Sequence, residues 1–420
     1  MRGEAVVELL EGSWYGHILR GSIVIAGLLW LLGGSVSRAS AASTPLAALP
    51  NAAQKLTAYD GYVVFSQYEP SARDWHLMIW HGGSIRPLPV PARDMPFDAD
   101  AGPAANGRPA LVYSRCAQNP APPTANDLQS TEYVREPVWT DARGCRIYEL
   151  ALPNGSPKLV KGIYAPGASD STPAIWDGDI AFARLTAGSR DAKVYLWHHS
   201  TRRLTALGGG PGPCRAPFIE GRCEAHPRTP PSAWVGGMSL DGSALGYEWV
   251  VENGGAGFGE GADPEIRVDP LRAGHQSAPS QVTATSFASG TCGYAESNSP
   301  SVAGSDLLFD TNGGGCEGGP EEILSSFKSY SATTRTWRAA RFSPGLVTAI
   351  AEDHATTYWI RHDLKEFGPN DECNPGLSAC SSYAFTEAQD CSPAHGSCTL
   401  MQTNNLTLGA PQSRSPGIFG

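Results

Sequence analysis

The residues with the most chemistry to offer are carboxylates and cysteines, and both gather in a few long segments. Segments 251–264, 310–322 and 362–391 together hold thirteen Asp and Glu against Lys365 alone, in a chain of formal charge −10. Such a field attracts cations or a basic partner at long range. Asp310, Glu317, Glu321, Glu322, Asp371 and Glu372 are therefore the candidate binding surface. No Asp-x-Asp-x-Asp-Gly calcium loop accompanies them. The nearest fragment, Asp98-Ala99-Asp100-Ala101-Gly102, reads as a structural turn leading into a strand.

Ten cysteines, an even number, fit disulfides formed in an oxidising compartment. Cys116 and Cys145 would close one long segment at its neck, Cys214 and Cys223 a small loop, and Cys292 and Cys316 another. Cys373, Cys380, Cys391 and Cys398 allow three pairings. No Cys-x2-Cys pair suggests zinc. His198 and His199 are adjacent on a strand-like run and so point to opposite faces, which suits no shared metal. No metal or cofactor is expected.

Catalytic signatures are missing from the sequence: Gly-x-Ser-x-Gly, His-Glu-x-x-His and Gly-x4-Gly-Lys-Ser/Thr do not occur. The glycine-rich runs at 208–212 and 254–261 contain proline or acid and precede no helical pattern, so they do not read as phosphate cradles. No catalytic residue is assigned. An acidic chain also lacks the cationic excess that a nucleic-acid surface needs.

The elements that must carry these residues are short strands. Glycine (48) and proline (34) are abundant and charged residues make up only 17%, which favours strands and turns over long helices. Six apolar strings each end on an aromatic residue: 62–65 on Phe65, 110–113 on Tyr113, 179–182 on Phe182, 244–247 on Tyr247, 306–309 on Phe309 and 356–359 on Trp359. Most follow a tight turn such as Asp60-Gly61, Asn106-Gly107 or Asp177-Gly178, where glycine supplies a positive φ. A second strand follows each string (77–80, 146–150, 193–197, 265–268, 327–330, 399–402), and polar edge segments such as 86–88, 158–160 and 203–207 follow three of those. The aromatic ends recur roughly 50 to 70 residues apart, more than the ~40–45 of a compact four-stranded blade. The excess belongs to loops.

The run Ser239-Leu240-Asp241-Gly242-Ser243-Ala244-Leu245-Gly246-Tyr247 resembles the repeat of TolB-like β-propellers, and Ser169 to Phe182 is similar to it. That resemblance implies an all-β, six-bladed β-propeller with a central channel over residues 56–410. It implies no particular ligand. Radial repetition buries each blade against its neighbours and leaves only short edges.

With four strands per blade, the connections 114–145, 251–264, 310–322, 361–398 and 208–233 emerge on one face, which is expected to be loop-rich and disulfide-stapled. The opposite face keeps tight turns. Loops on a rigid scaffold commonly carry function. The expected activity is non-enzymatic binding of a protein or glycan ligand on the acidic, loop-rich face. The alternative is a carbohydrate-active glycosidase or lyase with a site at the channel mouth, for which Tyr247, Glu248, Asp310 and His362 are the residues to inspect.

Residues 21–36 form an uncharged, largely apolar run, followed by Ala39-Ser40-Ala41, the small-x-small pattern of a signal-peptide cleavage site. Glu4, Glu8 and Glu11 are unusual in such a leader, and an uncleaved anchor is the other reading. Only through that anchor would the chain meet a membrane. Residues 1–41 are expected to be the leader, 42–55 a linker and 411–420 a tail, in a protein secreted or held in the cell envelope.

Overall fold

The structure is a computed structural model. It describes residues 43–120, 139–209, 218–219, 222–223, 232–252, 262–271, 280–281, 286–287, 294–304, 306–314, 324–340, 347–362, 365–366, 386–387, 398–406, 408 and 410–411. These form six antiparallel sheets of four or five strands, joined to one another through their inner strands, and two two-stranded ribbons, Phe218–Ile219 with Arg222–Cys223 and Lys365–Glu366 with Thr386–Glu387.

Blade 1 comprises Ala53–Tyr59, Tyr62–Glu69, Asp74–His81 and Ser84–Pro87, from the inner strand outward. Blade 2 is Asp100–Pro103, Pro109–Arg115, Arg146–Ala151 and Lys158–Leu159. Blade 3 is Ala168–Trp176, Asp179–Thr186, Lys193–His198 and Arg203–Gly209. Blade 4 is Ala233–Asp241, Ala244–Glu252, Ala262–Pro270 and Ser280–Gln281. Blade 5 is Tyr294–Ala303, Asp306–Gly314, Leu324–Ser331 and Thr336–Ala339, with Ser286–Phe287 beside its inner strand. Blade 6 takes Val347–Asp353, Thr356–His362 and Cys398–Asn404, and its outer strand is Thr44–Leu49 from the other end of the chain. The six inner strands contact one another in sequence, and the last contacts the first, so the ring is closed.

Thr44–Leu49 corrects one expectation. Within the stretch 42–55, read as a linker, Thr44–Leu49 is the closing strand of the ring and residues 53–55 begin the inner strand of blade 1. Thr44 pairs with Gln402 and Leu49 with Cys398, and Leu49 is fully buried. The pairing covers the free edge of Cys398–Asn404, which would otherwise expose a row of unpaired amides.

The aromatic ends of the six strings explain the packing. Phe65, Tyr113, Phe182, Tyr247, Phe309 and Trp359 all lie in second strands, and none is more than 1% exposed. Each joins a cluster in which side chains of adjacent blades interdigitate. Phe182, for example, meets Ala110, Val112 and Ile147 of blade 2, and Phe309 meets Ile266 and Val268 of blade 4. Removing about 150–250 Å² of each aromatic surface from water makes these clusters the main attraction between blades. The turns follow their residues as well: Asp60 and Gly61 (φ 52° and 75°) and Asp177 and Gly178 (50° and 79°) form the two-residue, positive-φ hairpin connections expected of Asp-Gly.

Inner strands are stitched by a repeated polar bond. Opposite the residue that precedes the second-strand aromatic, Thr57 Oγ1 accepts from the Ala101 amide (2.9 Å) and Asp100 Oδ2 from the Ile175 amide (3.0 Å). At the matching level Ser239 Oγ accepts from the Val302 amide (3.1 Å) and Ser301 Oγ from the Glu352 amide (2.8 Å). Blades 3 and 6 have Ala174 and Ala351 there. Gly102 fits the same tight contact, since a Cβ on it would lie 2.1 Å from the Ile175 carbonyl oxygen.

Candidate functional site

The channel is built from the inner strands, and one register organises it. Five of the six inner strands carry a β-bulge in the middle: between Gln54 and Leu56, Ser171 and Ala174, Val235 and Gly237, Asn298 and Ser301, and Val347 and Ala349. Beyond the bulge each strand runs to the tight-turn face. There the strand ends enclose a cavity of about 320 Å³.

The mouth of this cavity is acidic and aromatic. Asp353 closes blade 6, its Oδ2 accepting from the Gly61 amide (2.8 Å) and its Oδ1 lying 2.6 Å from His354 Nδ1. Asp241 closes blade 4 in the same way, accepting from the Gly304 amide (2.6 Å). Tyr59 and Trp176 end blades 1 and 3, with ring centroids 5.9 Å apart and planes at 83°. The Tyr59 hydroxyl is pushed up from its ordinary pKa by burial, and then by the negative charges of Asp60, Asp353, Asp177 and Asp241. The mouth is therefore a site of negative potential beside two aromatic rings, an arrangement that holds an organic cation by charge and by its ring faces.

Glu352 is the exception in the repeat. At its register position, paired with the residue two before the second-strand aromatic, the other five blades carry Ala58, Ala101, Ile175, Leu240 and Val302. Glu352 replaces an apolar side chain that those blades use for packing, and it lines the cavity. Its carboxyl is pushed up to about 7, by burial first and by the charge of Asp306 second. A carboxyl placed where the fold prefers a hydrocarbon, in a cleft and with a perturbed pKa, makes Glu352 a candidate functional residue. Asp100 also lines the cavity and is pushed up to about 7 by burial, against the hydrogen bonds from Ile175, Thr57 and Ala101 that lower it. Its bonds belong to the blade stitching.

The Asp98–Gly102 fragment is structural, but as the entry and first residues of the inner strand of blade 2 rather than as a turn, and it ties that blade to its neighbours. Asp98 accepts from Arg93 Nη2 (3.1 Å), Ser114 Oγ (2.5 Å) and the Thr172 amide (2.7 Å). Below the mouth, Lys55 adopts φ 53° in its bulge and extends from blade 1 to the Gly236 carbonyl of blade 4 (3.2 Å). Gly236 leaves room for Glu248, because a Cβ there would lie 2.9 Å from its carboxylate. Lys55, Asp98 and Glu248 line a smaller cavity of about 50 Å³.

Of the residues singled out from the sequence as a binding face or channel site, those whose side chains are described do not assemble into this cavity. Asp310 is buried in the second strand of blade 5, and Glu317, Glu321, Glu322, Asp371 and Glu372 lie outside the described residues. Tyr247 is in the core between blades 3 and 4, Glu248 borders the lower cavity, and the His362 side chain lies outside the described set. His198 binds Asp179 (2.8 Å), while His199 is exposed. Cys116 and Cys145 are bonded as expected, and Cys145 packs with Met95, Trp139 and Trp234 beneath the insertion they close. Cys398 is also disulfide-bonded. The Cys214–Cys223 and Cys292–Cys316 pairings, and the partners among Cys373, Cys380 and Cys391, fall outside the described residues. Among the described residues no group of three metal-ligating side chains occurs, and no helix is long and apolar enough to cross a membrane. The expected leader lies outside them. Sequence reading missed Glu352, Asp353 and Trp176 as neighbours; the signal available was their fixed offset from the tight turns.

No family model and no curated protein matches the chain. Solved structures it resembles include TolB from Acinetobacter baumannii, with 12% identity, 84% of this chain and 66% of that one covered, and TM-score 0.39. The match thus spans just under two thirds of that protein's length. The β-propeller domain of the Trilobed protease from Pyrococcus furiosus shares 7% identity, with 74% and 77% covered and TM-score 0.35. An oligogalacturonate lyase from Vibrio parahaemolyticus shares 8%, with 88% and 94% covered and TM-score 0.35.

Proposed function

We propose that this protein is a non-enzymatic binding propeller working outside the cytoplasm, whose ligand, a protein or glycan bearing an amine or guanidinium, docks in the channel mouth on the tight-turn face. The observation that carries the reading is Glu352: an acid where five other blades are apolar, beside Asp353, Asp241, Tyr59 and Trp176 in one cavity. Location outside the cytoplasm is supported by the Cys116–Cys145 disulfide. The loop-bearing face remains a second candidate surface for a basic partner, supported by the acids of segments 251–264, 310–322 and 362–391.

Calorimetric titration with tetralysine, with a chitosan tetramer and with an oligogalacturonate tests this. Binding of the two cationic probes, weakened tenfold or more in the Glu352→Gln/Asp353→Asn double variant, is the expected outcome. Turnover of either glycan would overturn the non-enzymatic reading. Cationic binding untouched by the double variant would move the site to the loop-bearing face.

A further inference from the structure

The channel changes character in layers below its mouth. Opposite or next to the second-strand aromatic of each blade stands an apolar residue: Leu56, Ala99, Pro173, Met238, Pro300 and Ile350. All six line the lower cavity, and Leu56, Ala99, Met238 and Pro300 line the mouth cavity too, so this ring is the constriction between them. Beyond it, Lys55 bridges from blade 1 to the Gly236 carbonyl on blade 4. A ligand descending from the tight-turn face therefore meets acids and aromatic rings first, then hydrocarbon, then the Lys55 side chain, which spans the channel in a layer that also holds Asp98 and Glu248.

This order fixes how a cation can sit. An ammonium driven into the ring would lose its water among apolar side chains, which is unfavourable. An apolar tip in the ring with the cation one short stem above it satisfies every layer. We propose that the mouth cavity takes its ligand end on and tip first, as an alkylammonium-like group: an apolar terminus followed closely by an amine or guanidinium, as at the end of a peptide whose terminal hydrophobic residue adjoins Lys or Arg. The proposal rests on the mouth being the binding site. It adds that the site is blind, with Lys55 as its floor, so that a chain cannot thread through.

Titration of the full chain with n-alkylammonium ions from methyl to octyl provides the test. Affinity is expected to rise about fourfold per methylene that enters the ring and then to stop rising once the tip reaches Lys55. In Lys55→Gly, which suits the positive φ and removes the floor, the ceiling is expected to move to longer tails. Glu352→Gln is expected to weaken all members by a similar factor. A diammonium of equal length, whose tip is charged, is expected to bind the wild-type protein at least tenfold more weakly than the monoammonium, and this comparison stands even if Lys55→Gly fails to fold. Affinity independent of tail length, an unmoved ceiling in folded Lys55→Gly, or preference for the diammonium would overturn end-on binding while leaving a cationic mouth site intact. Binding of no alkylammonium at all would overturn both.

Discussion

At the scale of single residues, Glu352 links the site to pH. Its carboxyl keeps a proton up to about 7 in the folded protein, against 4.5 in the unfolded chain. The folded state then binds more protons than the unfolded one between those values, so this group's contribution to stability falls as pH rises from about 4.5 to about 7. Glu352→Gln should remove that decline, making the variant more resistant to urea than wild type at pH 8 but not at pH 4; equal gains at both would refute the assignment. Cation binding should show the converse dependence, strengthening through the same window as the carboxylate forms. Asp98 offers a contrast. It is a buried anion held by Arg93, Ser114 and Thr172, and Asp98→Ala should cost about 3–5 kcal/mol in urea unfolding because it strands a buried guanidinium. A change below 1 kcal/mol would show that Arg93 finds another partner. Asp98 was legible as structural from its fragment alone. Glu352 was not, since a single Glu inside a degenerate repeat stands out only after the bulges align the inner strands.

At the scale of elements, the second strands were the most legible part of the molecule, because an apolar run ending on an aromatic after a tight turn is a local signal. Phe65, Tyr113, Phe182, Tyr247, Phe309 and Trp359 are all buried between blades. Inner strands were harder to read. Small or polar residues interrupt their apolar positions where they face a neighbouring strand at close range, as Gly102 does against Ile175, and their stitching runs through Thr57, Asp100, Ser239 and Ser301 rather than through hydrophobic periodicity. The closing strand Thr44–Leu49 was missed for another reason: its partner Cys398–Asn404 lies at the far end of the chain, and nothing local specifies a pairing of that sequence separation. Two consequences follow for elements. Ser301→Ala should cost about 1 kcal/mol, the usual contribution of one hydrogen bond, seen as a small drop in the unfolding midpoint. Deleting residues 44–49 should do far more, exposing the edge of blade 6 and lowering the thermal midpoint by ten degrees or more; an unchanged midpoint would mean the ring does not depend on that strand.

At the scale of the whole molecule, the two faces divide the chemistry. Insertions and the Cys116–Cys145 bond sit where second strands lead to third strands, while the cavity opens where inner strands turn into second strands. Loop length in a sequence draws attention to the first face. Short turns conceal the second, whose residues converge from Tyr59 to His354 and share no segment. Breaking the disulfide with Cys116→Ser should destabilise the protein by about 2–4 kcal/mol under oxidising conditions and leave cation binding at the mouth unchanged. The most direct measurement is a crystal structure of the protein soaked with 4-bromobenzylammonium, read by bromine anomalous scattering. The expected result is a peak in the channel between the Tyr59 and Trp176 end of the inner strands and the Leu56–Met238–Pro300 constriction, with the ammonium toward Glu352 and Asp353, and no peak in Glu352→Gln/Asp353→Asn. An empty channel in the wild-type protein, with bromine ordered only against the loop-bearing face, would contradict it.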